Sequence, residues 1–278
     1  MKLTVLVDNN TLIDRYFLGE PAVSYLIESE GKKILFDVGY SDVFISNAQR
    51  VHLDLLDVDF VVLSHGHVDH TGGLVPLLRL HMEAGIEGLA VKRPTLVGHP
   101  LALSSKRIGD LPEIGSLLHE EKLSSFVNLR LSREPVWVTE RLVFLGEIER
   151  ANDFEGKKPL GKVLQDGVEK DDFLVDDSAV AYRSPGGLAI ITGCSHAGIC
   201  NIVAQARRVC GEDRVVDIVG GLHLMDPSAE QLQGTLEYLR ALSPRSVHAC
   251  HCTDLNSKSA LSGVVELKEV GVGLTLEY

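Results

Sequence analysis

Residues 63–74 read LSHGHVDHTGGL, and the rest of the chain is best understood outward from them. His65, His67, Asp69 and His70 place four ligand-type side chains within six positions, directly behind the apolar run FVVL and directly ahead of Gly72 and Gly73. A short apolar run of this kind reads as a buried strand. The cluster therefore falls on the loop that leaves the strand, where a rigid sheet can present functional groups. His65 and His67 are two apart on extended chain, point the same way and can share one metal ion. Asp69 and His70 lie past the bend and can reach a second ion. Imidazole with carboxylate suits zinc, iron(II) or manganese. The glycine pair lets the backbone pass close to the site or enter a helix without side-chain interference.

The flanking sequence supplies a scaffold. KLTVLVD, AVSYLIES, KKILFDVG and DFVVLSHG read as four strands, with Ser29-Glu30-Gly31-Lys32 as a hairpin turn between the second and third. DVFISNAQRVHLDLLDV (42–58) carries apolar residues at roughly helical spacing, and GGLVPLLRLHMEAG puts Leu74, Leu77, Leu78 and Leu80 on one side of a second helix. PTLVGHP reads as a strand ending at His99. From about residue 100 to 175 there are short alternating pieces (VWVTERLVFLGEI) and a polar stretch, RANDFEGKKPLGKVLQDGVEKDD, with the look of a loop or lid. Strands return as VAYRS, GLAIITG, VVDIVGG and SVHACH, with helices at HAGICNIVAQARRVC and AEQLQGTLEYLRAL. The expected fold is α/β, an αββα sandwich of two mixed sheets with outer helices. One domain spans 1–278, and 105–175 is an inserted cap.

Composition narrows the partners. Hydrophobic residues make up 45% of the chain, enough for a sizeable core, while aromatics are only 5%, so Val, Leu and Ile do most of the packing. A net charge of −12 repels polyanions, so nucleic acid is not an expected partner and a small-molecule substrate is. No apolar stretch approaches a membrane span, and the N-terminal apolar run is too short for a signal-peptide core. The five cysteines, Cys194, Cys200, Cys210, Cys250 and Cys252, are an odd count without a secretory signal, which points to free thiols in a reducing, cytoplasmic compartment. Oligomeric state leaves no signature in the sequence.

SHGHVDH resembles the His-x-His-x-Asp-His signature of the metallo-β-lactamase superfamily. VLVDNNT, ILFDVG, NAQ, GHP with SSKR, FLGEIER with FEG, ITGCSHAGICNIV, VGGLHL and HCTD narrow the resemblance to the dihydropteroate-synthase-like branch. That resemblance implies the αββα sandwich and one or two metals at its lip. The expectation is two divalent ions, zinc first, with iron or manganese compatible. It also implies metal-assisted chemistry on a small phosphorylated or pterin-like substrate, either hydrolysis or transfer from a dihydropterin diphosphate. The alternative is a module that holds metal for binding or redox sensing, without turnover.

The later motifs add candidates. TGCSHAG and HACHCTD each follow an apolar strand, so Cys194, His196 and His251 repeat the strand-end geometry of the first cluster. By resemblance, Cys194 falls where many members have a bridging aspartate, and His251 matches the last ligand histidine. The superfamily's isolated third-motif histidine is missing, because the matching stretch VDDSAVAYRS offers Asp176 and Asp177. His196 is read as its replacement, with a role beside a helix N-terminus as the other option. The expected metal ligands are thus His65, His67, Asp69, His70, His196 and His251, with Cys194 as a further candidate. In GGLHL, His223 resembles a proton-donating histidine of the superfamily's tRNA-processing nucleases; a near-neutral imidazole suits that work. A ligand role for His223 competes. Asp69 and His223 are the expected catalytic residues. Asn9, His99, Lys106 and Arg107 are candidate substrate contacts, the last two for a phosphate or carboxylate. Glu147, Arg150 and Glu155 belong to the cap and can shape a cleft.

Overall fold

Glu30 and Gly31, at φ 52° and 73°, form the two-residue hairpin that Ser29-Glu30-Gly31-Lys32 predicts, with Ser29 paired to Lys32. The computed structural model describes residues 1–278. In chain order the first half comprises β1 (Lys2–Val7), β2 (Ser24–Ser29), β3 (Lys32–Phe36), α1 (Val43–Arg50), β4 (Phe60–Val62), α2 (Val68–Thr71), α3 (Leu74–Ile86) and β5 (Thr95–Gly98). The middle comprises β6 (Lys106–Arg107), α4 (Glu120–Leu123), β7 (Asn128–Leu131), β8 (Val136–Trp137), β9 (Leu142–Phe144), β10 (Lys162–Gln165) and β11 (Val168–Asp171). The last part comprises β12 (Ala179–Ser184), β13 (Gly187–Thr192), α5 (Ile199–Cys210), β14 (Val215–Gly221), α6 (Ala229–Leu242), β15 (Ser246–Cys250), α7 (Leu255–Ser262) and β16 (Thr275–Glu277).

One sheet runs β16-β1-β2-β3-β4-β5-β7 and the other β15-β14-β13-β12-β9-β8. Alternation along the strands sorts side chains into layers. Tyr25 and Ile27 of β2 face the interior between the sheets with Phe144 and Ile191, whereas Leu26 joins Phe44, Leu74, Leu77 and Leu78 beneath α1 and α3. Ile190 of β13 turns the other way and packs under α5 and α6 with Ile202, Val203 and Leu239. The result is the four-layer αββα sandwich. Because the strands are covered on both faces, they read as nearly continuous apolar runs.

Two expectations change. The helix expected over 42–58 stops at Arg50: His52 turns to φ 56°, and the Asp54 side chain accepts from the Leu56 N–H at 2.8 Å. Leu55 and Val58 still reach the core, so the apolar spacing persisted where the helix did not. Residues 105–175 do not form one inserted cap. β7 extends the first sheet, and β8 and β9 complete the second. Only β6, β10 and β11 stand apart as a small three-stranded sheet, its β10–β11 hairpin turning at Asp166-Gly167.

β3, β4 and β5 are parallel neighbours in one sheet, as are β13, β14 and β15 in the other. Their carboxyl ends, where ligands gather in parallel sheets, carry Asp37, His65 and His99 on one side and Cys194, His223 and His251 on the other. The glycine pair knits this end together: Gly73 N–H donates to Gly39 O at 3.1 Å, and a Cβ at Gly73 would stand 1.9 Å from Val38 O. Gly73→Ala should therefore lower folding stability by about 2–3 kcal/mol through forced backbone displacement. Denaturant unfolding checks this, and a loss within error of zero would contradict it.

Candidate metal centre

The first histidine loop is fixed from below by a buried carboxylate. Asp37, at the end of β3, accepts from the Ser64 N–H (2.7 Å), the Ser64 hydroxyl (2.7 Å) and His70 Nδ1 (2.7 Å). Holding the proton on Nδ1 leaves the His70 Nε2 lone pair for the site. His65 Nδ1 contacts the Ser64 hydroxyl at 3.0 Å, which turns its Nε2 toward His67 Nδ1, also at 3.0 Å. Asn9 contacts His251 twice, Oδ1 to the ring at 3.2 Å and Nδ2 to the carbonyl at 3.2 Å. Asp8 accepts the His251 N–H at 3.0 Å. Asp37, Ser195, His223 and His251 all have φ between 50° and 64°. Left-handed backbone is costly for such residues and concentrates where function demands it.

Two groups of ligand atoms result, each with all its atoms within 4.8 Å of one another: Asp69, His70, Cys194 and His251 in one, and His65, Cys194 and His196 in the other. Cys194 is common to both. Within the first, Asp69 Oδ2 lies 3.5 Å from His70 Nε2 and 3.4 Å from His251 Nε2, and Cys194 Sγ lies 3.3 Å from His70 Nε2. His67 falls outside both groups but borders the second, its ring centroid 5.0 Å from that of His196. The His223 ring is 4.2 Å from His196. His67 Nε2, both nitrogens of His196 and His223 Nδ1 are buried without a hydrogen-bond partner. The orphan nitrogens of His196, with His65 and the shared thiol, and the Asp69, His70 and His251 atoms around the same thiol, form donor sets that fit divalent metal.

Electrostatics agree. Burial, then the neighbouring imidazoles, holds His65 and His196 well below the ordinary histidine range, and burial takes His67 down to about 4. These rings are neutral, as ligands must be. Burial opposes charge on His70, but Asp69 and Asp37 outweigh it and raise its pKa. Burial pushes the Cys194 thiol up, so a bound cation is what would favour its thiolate.

The other candidates separate. His99 is buried, with Nε2 3.2 Å from Glu147 and Nδ1 accepting from the Leu101 N–H at 3.1 Å, so both ring nitrogens serve the loop. Lys106, expected at a substrate, is instead 1% exposed and donates to Asp172 and Asp176, each at 2.8 Å. Asp176 in turn accepts from the Gly66 N–H at 2.9 Å, between the first two histidines. The lysine is thus committed to holding the histidine loop, and its ammonium is not free for a substrate. Arg107 is exposed and pairs with Glu169 at 3.2 Å on the small sheet. Asp37 and Asp8 carry roles that sequence reasoning missed; an aspartate closing an apolar strand was their one visible signal.

The metallo-β-lactamase superfamily model matches residues 18–153. The 7,8-dihydropterin-6-methyl-4-(β-D-ribofuranosyl)-aminobenzene-5′-phosphate synthase of Methanocaldococcus jannaschii is 30% identical over 274 residues, covering 93% of this chain and 90% of its own. The chain belongs to the metallo-β-lactamase superfamily. The crystal structure of a metal-dependent hydrolase of the β-lactamase superfamily superposes with a TM-score of 0.83 at 28% identity, covering 100% of this chain and 99% of the other. Zn(2+)-bound PqqB from Methylobacterium extorquens shares the fold, with a TM-score of 0.55 at 14% identity over 100% of both chains.

Within this metallo-β-lactamase fold, the stretch lacking the third-motif histidine supports the loop of Cys194 and His196. Asp177 Oδ2 accepts from the Ala197 N–H at 2.9 Å, while Oδ1 is buried without a partner. Burial raises its pKa to about 7 against the pull of the Ala197 and His196 amides. A carboxyl whose folded pKa exceeds its unfolded value binds its proton more tightly when folded. That stability is complete below the ordinary carboxylate range and is lost as pH rises through about 7. Asp177→Asn, which cannot ionise, should therefore gain stability relative to chelator-treated wild type as pH rises from about 5 to about 8, whatever slope His65, His67 and His196 add to both proteins. Identical pH slopes for the two proteins would refute the assignment.

Proposed function

We propose that this chain is an enzyme with a dinuclear metal centre that acts on a small phosphorylated or pterin-like substrate, by metal-assisted hydrolysis or dihydropterin transfer. The observation that carries it is the pair of ligand groups sharing Cys194. In this reading Asp69, His70 and His251 would hold one ion, and His65 and His196, with the neighbouring His67, would hold the other; Cys194 belongs to both groups. Zinc suits the mixed nitrogen, oxygen and sulfur donors. Such ions supply Lewis acidity toward a phosphoryl or carbonyl oxygen and toward water. The Methanocaldococcus jannaschii relative, a dihydropterin synthase, favours a pterin substrate, and the structural relative, a metal-dependent hydrolase, favours hydrolysis. Both reactions separate an electrophilic centre from a leaving group, so one ligand arrangement serves either.

The chain's own groups complete the chemistry. Asp69 is kept ionised: burial opposes its charge, but His70 and His251 lower its pKa. His223 stands beside His196 with its backbone N–H on Cys252 Sγ at 3.3 Å. Burial disfavours a proton on its ring, yet the side chain of Cys252 and the charge of Asp177 outweigh this and raise the pKa. His223 can therefore hold a proton for a leaving group, as a general acid must.

Asp69→Ala should lose one metal equivalent and turnover while the fold survives, because a loop ligand adds little to the core. His223→Ala should keep both metals and slow turnover by roughly 10²–10⁴-fold, most for substrates with poor leaving groups. Elemental analysis and rates on phosphodiester, lactone and thioester substrates check both. Native metal loading in Asp69→Ala, or full activity in His223→Ala at native loading, would refute the corresponding role.

A further inference from the structure

A cleft of about 420 Å³ opens beside the metal centre, with His196 and His223 among its lining residues. One wall comes from the FEGKK loop, including Phe154, Lys157 and Lys158, and the other from the turn into α6, including Met225 and Glu230. The FEGKK loop is a built feature. Glu155 is 3% exposed, and its carboxylate accepts from the Asn201 N–H (2.7 Å), the Cys200 N–H (3.3 Å) and Asn152 Nδ2 (2.7 Å), capping the start of α5. Arg150 donates to Gly156 O at 3.0 Å and to Leu174 O at 2.8 Å. Gly156, at φ 65°, packs so closely on the ligand loop that a Cβ would stand 2.6 Å from Ala197 O. The wall is therefore clamped to the loop that carries Cys194 and His196, and its reach to the centre is set by the fold.

Seven of the twelve lysines pair with a carboxylate. In a chain of net charge −12, the adjacent Lys157 and Lys158 are exposed at this cleft with no ion pair; Lys157 has only a 3.4 Å hydrogen bond to Arg150 O. Four carboxylates also line the cleft. Glu155 is committed to α5, while Asp153, Asp226 and Glu230 are exposed. Lys157 and Lys158 are thus the two cations that line the cleft, on one anchored loop that also bears Asp153, while Asp226 and Glu230 lie on the other wall.

We propose that Lys157 and Lys158 are the specificity-determining contacts of this cleft and bind a phosphate group of the substrate remote from the bond that reacts beside His196 and His223. This rests on the enzyme reading above and adds how that site selects its substrate. Lysine suits phosphate as a mobile point charge. Binding energy from a remote group also positions the reacting bond.

The probe is phenylphosphonate, a dianion that resists hydrolysis, titrated calorimetrically into metal-loaded protein, with neutral benzyl alcohol as the control. Wild type should bind the phosphonate and not the alcohol. Lys157→Ala with Lys158→Ala should weaken phosphonate binding by about tenfold or more, equivalent to about 1.4 kcal/mol, at unchanged metal content. Lys157→Arg with Lys158→Arg should retain binding. Equal affinity in the wild-type and alanine proteins, or no phosphonate binding by wild type, overturns the proposal. Elemental analysis of metal-loaded wild type separates the two ideas: fewer than two ions per chain defeats the dinuclear reading, while a lysine-dependent phosphonate site would still stand.

Discussion

The Asp37 carboxylate is the interaction on which the site depends. It closes β3, takes three hydrogen bonds from Ser64 and His70, and so fixes the histidine loop to the sheet that carries it. It also faces the second sheet: a Cβ at Gly193 would lie 2.8 Å from Asp37 Oδ2 and 2.2 Å from Ser64 Oγ. Glycine just ahead of Cys194 is what lets the two strand-end loops meet over one carboxylate. A buried charge with three donors is well compensated; the same charge with one donor removed would be costly. This makes the meeting point rigid.

Around that anchor the protein gathers groups that repel or waste one another without a cation. Three of the imidazoles are driven neutral by burial, while His70 is drawn toward its charged form by two aspartates. Neutral lone pairs, a carboxylate and a shared thiol at these separations have little reason to be packed together for stability alone. The positive φ of Asp37, Ser195, His223 and His251 points the same way, because each is a local cost carried at the lip of the sandwich.

Support for the ligand loops comes from segments distant in the chain. Lys106 joins Asp172 to Asp176, and Asp176 reaches the backbone between His65 and His67. Glu155 and Arg150 brace the loop of Cys194 and His196. The middle of the chain is therefore divided in its work: β7, β8 and β9 finish the two sheets, while the surrounding loops buttress the centre and wall its cleft. Outer-shell partners of this kind set ligand orientation as firmly as the ligands set the metal.

Whatever depends on neighbours along the chain was legible in the sequence. The hairpin at Glu30-Gly31, the strands ahead of each ligand motif, the apolar stripe of α3 and the histidine cluster all follow from local periodicity and turn chemistry, and the signature motifs placed the chain in its superfamily. The rest depends on contacts between segments far apart in the chain. Short strands such as Val136–Trp137 and Leu142–Phe144 carry too little pattern to be assigned to a sheet until their partners are known. Lys106 reads as an available cation because nothing near it in sequence reveals Asp172 and Asp176, 66 and 70 residues away. The sharing of Cys194 between two ligand groups is likewise a fact of three-dimensional distance: 124 residues separate it from His70, and the packing of one sheet against the other brings them to 3.3 Å.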